Sequence, residues 1–253
     1  MSSFEEQTVM VIGFNARPIV GLAKQLGFRV IAIDYWGDMD IVPYADVLLT
    51  VLRPTPHARR EHPSHKPLSE LLYELGEKAF HQYKDVDFIL LGSGLDDRPD
   101  MWSKLNRLAP ILGCSPETLR TVRNPERLFS VAEKIGVSCP KTERVKEAEE
   151  CVEVAKKVGF PVVLKPLSGS GGFRLRLARN PSEAKKYFKT VSGRYGEVFV
   201  QEHIEGIDAS SSILGNGNDC VVVSVNEQLI GIKKLGANTP FGYCGNIVPL
   251  KAN

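Results

Sequence analysis

Lys165 ends a short apolar run, Phe160-Pro161-Val162-Val163-Leu164, and is followed at once by Pro166-Leu167-Ser168-Gly169-Ser170-Gly171-Gly172. Residues without a bulky Cβ leave several backbone N–H groups able to converge on one anion, as phosphate-cradling loops require. A lysine beside such a loop adds a compact point charge suited to a phosphate oxygen. The pattern is not a Walker A loop, because no Gly-Lys-Ser/Thr closes it and no helix follows directly. Instead Phe173-Arg174-Leu175-Arg176-Leu177-Ala178 alternates like a second strand, so a glycine-rich flap between two antiparallel strands is expected. An ordinary Gly/Ser hairpin that happens to carry a lysine accounts for the same residues.

A second stretch adds chemistry of a complementary kind. Phe199-Val200-Gln201 reads as the end of a strand, and Glu202-His203-Ile204-Glu205-Gly206-Ile207-Asp208 as a polar-apolar hinge. Such a hinge presents backbone N–H and C=O groups to the edge of an adenine, and an acid a few residues on accepts bonds from ribose hydroxyls. Together the two stretches read as a nucleotide clamp.

The elements that must position them follow from periodicity. Residues 8–13 are a buried strand, 19–26 have helical spacing, and 29–33 form a second strand that ends on Asp34. Strand, helix, strand with an acid at the second strand's end opens a Rossmann-like parallel sheet. Gly13-Phe14-Asn15-Ala16-Arg17-Pro18 offers one glycine where the dinucleotide fingerprint needs three, which disfavours NAD and a dehydrogenase. Strands are expected at 47–52 and 88–91, with an amphipathic helix at 68–83 between them. The loop at 54–67 carries His57, His62 and His65 among Arg59, Arg60 and Lys66, which reads as a solvated basic loop rather than a metal site. Asn15, Arg17, Asp34 and the loop Gly92-Ser93-Gly94-Leu95-Asp96-Asp97-Arg98 fall at strand carboxyl ends, where open α/β sheets place ligands. Turn formation, and an aspartate cap before Pro99, explain the same residues. Ser115-Pro116 and Asn124-Pro125 each read as a helix start, and residues 136–142 as a linker. Beyond it come a strand at 143–145, helices at 147–158 and 181–191, and strands at 198–201, 209–214, 220–225 and 228–232. The last two strands are expected to be separated by a turn at Asn226-Glu227.

Composition restricts the class of function. A hydrophobic share of 43% and a charged share of 25% are those of an ordinary globular protein. Lys and Arg number 32 against 30 for Asp and Glu, so the balance argues for neither nucleic acid nor membrane as partner. No apolar run approaches a membrane span and no signal-like start is present, so a cytoplasmic location is expected. Cysteines 114, 139, 151, 220 and 244 are scattered and read as reduced thiols.

In this order, the Lys165 hairpin and the Gln201 hinge resemble the ATP-grasp superfamily, which holds ATP between two α+β lobes behind a Rossmann-like domain. Gly13-Phe14-Asn15-Ala16-Arg17-Pro18, Asp34-Tyr35-Trp36-Gly37-Asp38-Met39-Asp40, Gly92 to Pro99, Leu112-Gly113-Cys114-Ser115-Pro116-Glu117-Thr118, Asn226-Glu227-Gln228 and the stretch 241–250 are similar to a branch of ATP-dependent carboligases related to biotin carboxylase. The resemblance implies an α/β chain with a Rossmann-like parallel-sheet domain at 1–122, a small ATP-grasp lobe with the flap at 123–196, and part of a large lobe at 197–253. It implies that Lys165 is the phosphate-binding and catalytic lysine and that Ser168, Gly169, Ser170, Gly171 and Gly172 form the flap. Gln201, Glu202, His203 and Ile204 would be the adenine hinge, and Asp208 the ribose acid. Substrate candidates are Asn15, Arg17, Asp34, Gly92, Ser93, Gly94, Asp97 and Arg98.

The implied activity is ATP-dependent ligation of a small-molecule carboxylate to an amine or thiol through an acyl phosphate, with ATP and Mg²⁺ as cofactors and a homodimer as a possible assembly. Two features depart from the family. The helix starting at Arg123-Asn124-Pro125-Glu126-Arg127 lacks the family's first ATP-contacting lysine, and the Mg²⁺ ligands belong on strands after 241–250. The last lobe is therefore expected to be incomplete, and a nucleotide-binding or assembly module without catalysis is the alternative.

Overall fold

The computed structural model describes residues 7–53, 65–193 and 196–251, in two compact units, Met1–Leu128 and Phe129–Asn253. His57 and His62, with most of the expected basic loop, lie outside the described residues.

Unit 1 is built on a parallel sheet of four strands: β1 (Thr8–Gly13), β2 (Arg29–Asp34), β3 (Val47–Thr50) and β4 (Phe88–Leu91), in the order β3-β2-β1-β4. Its helices are α1 (Arg17–Gln25), α2 (Leu68–Gln82), α3 (Pro99–Leu108) and α4 (Pro116–Val122). A strand covered on both faces reads as a near-continuous apolar run, and β1, apolar but for Thr8 at its start, is buried throughout. Val9 and Val11 pack with Val20 and Ala23 of α1, whereas Met10 and Ile12 pack with Leu72 and Ala79 of α2 and Leu105 of α3. The expected Rossmann-like opening is thus present. Ser115 caps α4 as its motif predicts, its Oγ accepting from Thr118 N at 3.0 Å. The N-cap position before Pro99 falls on Arg98 and not on an aspartate. The Arg98 side chain makes no capping bond and instead pins the loop, its guanidinium donating to Ser69 Oγ and to the carboxylate of Asp100.

α5 (Pro125–Lys134) spans the boundary between the units. It carries no lysine before its last residue, Lys134, so its start lacks one as read from the sequence.

Unit 2 holds two antiparallel sheets. The first, in the order β5-β8-β6-β7, comprises β5 (Thr142–Val145), β6 (Val162–Pro166), β7 (Arg176–Ala178) and β8 (Val198–Glu202), with α6 (Ala148–Val158) and α7 (Pro181–Ser192). Residues directly opposite in an antiparallel pair share a face, so the register assigns every side chain a side. Val145, Val162, Leu164, Val198, Val200 and Ala178 form one face, buried against Cys151 and Ala155 of α6 and Ala184, Phe188 and Val191 of α7. The helical spacing of 151 and 155, and of 184, 188 and 191, supplies the matching stripes. Thr142, Val163, Lys165, Phe199 and Gln201 fall on the other face.

The second sheet, in the order β11-β10-β9, comprises β9 (Ala209–Gly215), β10 (Cys220–Ile230) and β11 (Tyr243–Ile247). Two expectations are corrected here. Asn226 and Glu227 are not a turn but part of one continuous strand, because they pair with Ser210 and Ala209 on one side while Glu227 pairs with Ile247 on the other. The second flap strand is only Arg176–Ala178, because Gly171 to Arg174 turn and Arg174, at φ 64°, donates its guanidinium to the carbonyls of Thr190 and Val191 at the end of α7. No helix among the described residues is long and apolar enough to cross a membrane.

Candidate functional site

The open face of the first sheet of unit 2 lines a cavity of about 410 Å³. Val163 and Lys165 of β6 and Gln201 and Glu202 of β8 reach it from the sheet. His203, Ile204 and Asp208 reach it from the segment that follows β8, Gln228 and Ile230 from β10, and Gly172 and Phe241 from the loops above. Of the residues singled out in the sequence, Lys165, Gly172, Gln201, Glu202, His203, Ile204 and Asp208 are therefore brought together here.

Lys165 is half-buried and its ammonium makes no hydrogen bond or ion pair among the described residues. Desolvation pushes its pKa below the ordinary lysine range. A cation held out of water with no carboxylate beside it favours any anion that can take the vacant place.

The flap is fixed at its C-terminal end. Arg174 ties its exit to the last carbonyls of α7, a favourable place for a cation at a helix C-terminus. Gly172, at φ +74°, lies so close to the Phe241 carbonyl that an added Cβ would sit 1.6 Å from its oxygen, so only glycine fits. Gly171 O accepts from Tyr243 N at 3.3 Å. Ser168, Gly169 and Ser170 belong to the same loop but do not line the cavity.

The hinge is held at its start and open afterwards. Glu202 N donates to Lys141 O at 2.8 Å and its Oε2 accepts from Lys141 N at 3.1 Å. Gln201, only 8% exposed, donates through Nε2 to Thr142 Oγ1 at 2.8 Å. From Ile204 to Ile207 the main chain forms no hydrogen bond among the described residues, which leaves N–H and C=O groups for another partner. His203 Nδ1 is buried there without a partner. Pro140, Thr142, Gln228 and Phe241 joined this site only through tertiary contacts. Thr142 alone had a local signal, since it flanks a predicted strand.

The other predicted residues gather at the carboxyl edge of the sheet of unit 1. β1 and β4 end side by side, with Phe14 N donating to Ser93 O at 2.6 Å and Gly92 N to Ile12 O at 2.8 Å. The two chains are so close that a Cβ on Gly13 would lie 3.2 Å from Gly92 Cα. Asp34 is buried at this edge, accepting from the backbone N–H of Ala16, Trp36 and Gly37 at 2.7–2.9 Å. Arg17 pairs with Asp40 at 2.6 Å, and Arg98 holds the Asp100 carboxyl below its ordinary pKa. Asn15, Ser93 and Asp97 are exposed there, and Gly94 packs on Leu68 and Phe14. Among the described residues no three His, Cys, Asp or Glu side chains converge as a metal site, so these residues supply no cage for Mg²⁺.

Comparison with known proteins places this geometry in a family. An uncharacterised protein of Methanocaldococcus jannaschii is 25% identical over 241 residues, covering 95% of this chain, which spans 56% of that relative's length. A biotin carboxylase from a Nostoc species is 36% identical over 90 residues, covering 35% of this chain and 20% of the enzyme. Among solved structures, the biotin carboxylase domain of Hydrogenobacter thermophilus 2-oxoglutarate carboxylase, a dimer with MgADP, ADP and bicarbonate, superposes with a TM-score of 0.69 at 20% identity. It covers 88% of this chain and 50% of that one. The ADP complex of an N5-carboxyaminoimidazole ribonucleotide synthetase gives 0.68 at 17% identity, covering 100% of this chain and 60% of that one. At such identities the structures establish the fold, a parallel sheet followed by antiparallel sheets. The model of the ATP-grasp domain matches residues 123–253, just over half of the sequence and the part that contains the lysine, flap and hinge, and on that match the chain belongs to the ATP-grasp family.

Proposed function

We propose that this chain binds ATP in the cavity of unit 2 and that it carries the nucleotide site of an ATP-dependent carboxylate ligase. The single observation that carries the reading is Lys165: a desolvated ammonium without an acidic partner among the described residues, on the same sheet face as Gln201 and in a cavity roofed by Gly172. The family supports ligation in general, and the particular acid and acceptor are not specified by it.

In this reading Lys165 takes a phosphate oxygen and stabilises charge that builds on the transferred phosphoryl group. Of the flap Ser168 to Gly172, Gly172 lines the cavity and the remaining amides would reach the phosphates only as the loop folds over them, while Gln201 to Ile204 meet the adenine edge and Asp208 accepts from the ribose hydroxyls. A substrate carboxylate attacking the γ-phosphorus of ATP would form an acyl phosphate and expel ADP, and an amine or thiol attacking the acyl carbon would then displace inorganic phosphate. In unit 1, Asn15, Ser93, Gly94 and Asp97 offer polar groups for a small substrate at the crevice beyond β1 and β4, while Arg17, Asp34, Gly92 and Arg98 hold that crevice in shape.

The test is calorimetric titration of the chain with ATP, ADP and NAD, with and without Mg²⁺, beside Lys165→Ala. The reading expects ATP and ADP to bind, NAD not to, and Lys165→Ala to lose binding. Equal affinity of Lys165→Ala and the parent chain would overturn it.

A further inference from the structure

At the hinge end of the cavity three groups form a directed chain of hydrogen bonds. Gln201 Nε2 lies 2.8 Å from Thr142 Oγ1, and Thr142 Oγ1 lies 2.9 Å from the Pro140 carbonyl. A carbonyl can only accept, so the one hydroxyl proton of Thr142 goes to Pro140. Thr142 must then meet Gln201 as an acceptor, and Gln201 must turn its NH₂ toward it. The two ends of a glutamine amide are nearly the same in shape, and which way round they sit is decided by such partners. Here the decision comes from a residue 59 positions earlier, which the register of β5 and β8 places directly opposite Gln201 on the same face.

The consequence lies on the other side of the amide. Gln201 Oε1 makes no hydrogen bond among the described residues, and Gln201 lines the cavity while being only 8% exposed. Val163, directly opposite on β6, places Gln201 one residue pair from Lys165 on the same face. The site therefore offers an acceptor near the lysine that a base with an exocyclic amine can satisfy and a base with a carbonyl cannot.

We infer that Thr142 is a positioning residue that fixes Gln201 as an acceptor, and that this pair selects a 6-aminopurine nucleotide over a 6-oxopurine nucleotide. The inference rests on the nucleotide reading of the cavity. Two opposed oxygens would leave both unpaired, which at typical values for unsatisfied groups corresponds to roughly 10- to 100-fold in affinity.

The experiment compares ATP with inosine triphosphate, which differs at the purine 6-position, by calorimetry on the parent chain, Thr142→Val and Thr142→Ser. The parent chain is expected to prefer ATP by about 10- to 100-fold. Thr142→Val keeps the shape but frees the amide to rotate, so the preference should fall about tenfold, whereas Thr142→Ser should restore it. A merely structural role for Thr142 would weaken both nucleotides alike and leave the ratio unchanged. Purine riboside triphosphate, with hydrogen at position 6, needs no variant and should bind between the other two. If the parent chain binds ATP and inosine triphosphate equally, or Thr142→Val keeps the parent ratio, the inference is overturned while the nucleotide reading stands. If the parent chain binds neither, the nucleotide reading itself fails and the inference with it.

Discussion

The crevice of unit 1 and the cavity of unit 2 are both edges of sheets furnished with polar side chains, but they use them in opposite ways. At the carboxyl edge of the parallel sheet Asp34 is surrounded by three backbone donors, Arg17 by Asp40, and Arg98 by Ser69 and Asp100. These groups hold the loops that carry them. In unit 2 Lys165 has no such partner, and the main chain of Ile204 to Ile207 keeps its N–H and C=O groups unpaired among the described residues. A charged group that completes its own fold has little left to offer a ligand. One left uncompensated in a cavity lowers the free energy of the whole when a ligand arrives.

The difference can be broken most forcefully at Asp34. Asp34→Ala leaves three backbone N–H groups without their acceptor, at about 1–3 kcal/mol for each that stays buried, so urea unfolding should report a loss on the order of 4 kcal/mol. Nucleotide affinity of the still-folded fraction should not change. Weakened nucleotide binding with unaltered stability would reverse the roles assigned to the two edges.

Lys165→Met is the converse experiment. It removes a desolvated charge that nothing in the fold needs, so stability should hold or rise, while ATP affinity should fall roughly 10- to 150-fold, the value of one charge-assisted hydrogen bond. A variant that melts markedly lower would show that the lysine serves the fold after all.

The pH dependence of the two quantities should run in opposite directions. The folded state binds the Lys165 proton more weakly than the unfolded chain does. The cost of the buried charge is therefore present at lower pH, and stability rises as pH passes from the lowered folded value up to the ordinary lysine value. Over the same window the ammonium is lost and ATP affinity should fall. Lys165→Arg, which stays charged, should not show that fall, and calorimetry across the alkaline range decides it.

The smallest effects are expected at the exposed rim. Asp208→Asn should weaken ATP only about two- to fivefold, because a solvated acid contributes little. Cys244→Ala should leave titration curves superimposable, since the thiol is directed at the carbonyls of Gly242 and Ile232 and does not line the cavity.

Much of this was legible in local pattern. The apolar run of β1, the helix at 181–191 and the Ser115 cap depend on neighbours a few residues apart, and they formed as read. The strand that carries Lys165, the glycine turn after it and the strand that ends at Glu202 also lie where local pattern put them, because each stretch carries its own backbone requirement. The turn expected at Asn226-Glu227 failed because both flanks of β10 are paired, one with a strand, Tyr243–Ile247, that its own glycine and cysteine do not announce. The second flap strand shortened because Arg174 found carbonyls on a helix that follows it.

What the sequence determined by itself was therefore the order of elements, the parallel opening, and the residue types able to meet a nucleotide, since these rest on periodicity and on glycine and proline geometry. Only the tertiary structure decided which polar groups remained available. Whether Asp34 meets three amides, whether Lys165 meets no acid, and which way Thr142 turns the amide of Gln201 depend on partners brought near by strand register and loop packing. Hydrogen bonds are short-ranged and directional, so their satisfaction is settled by distances that residue order does not contain.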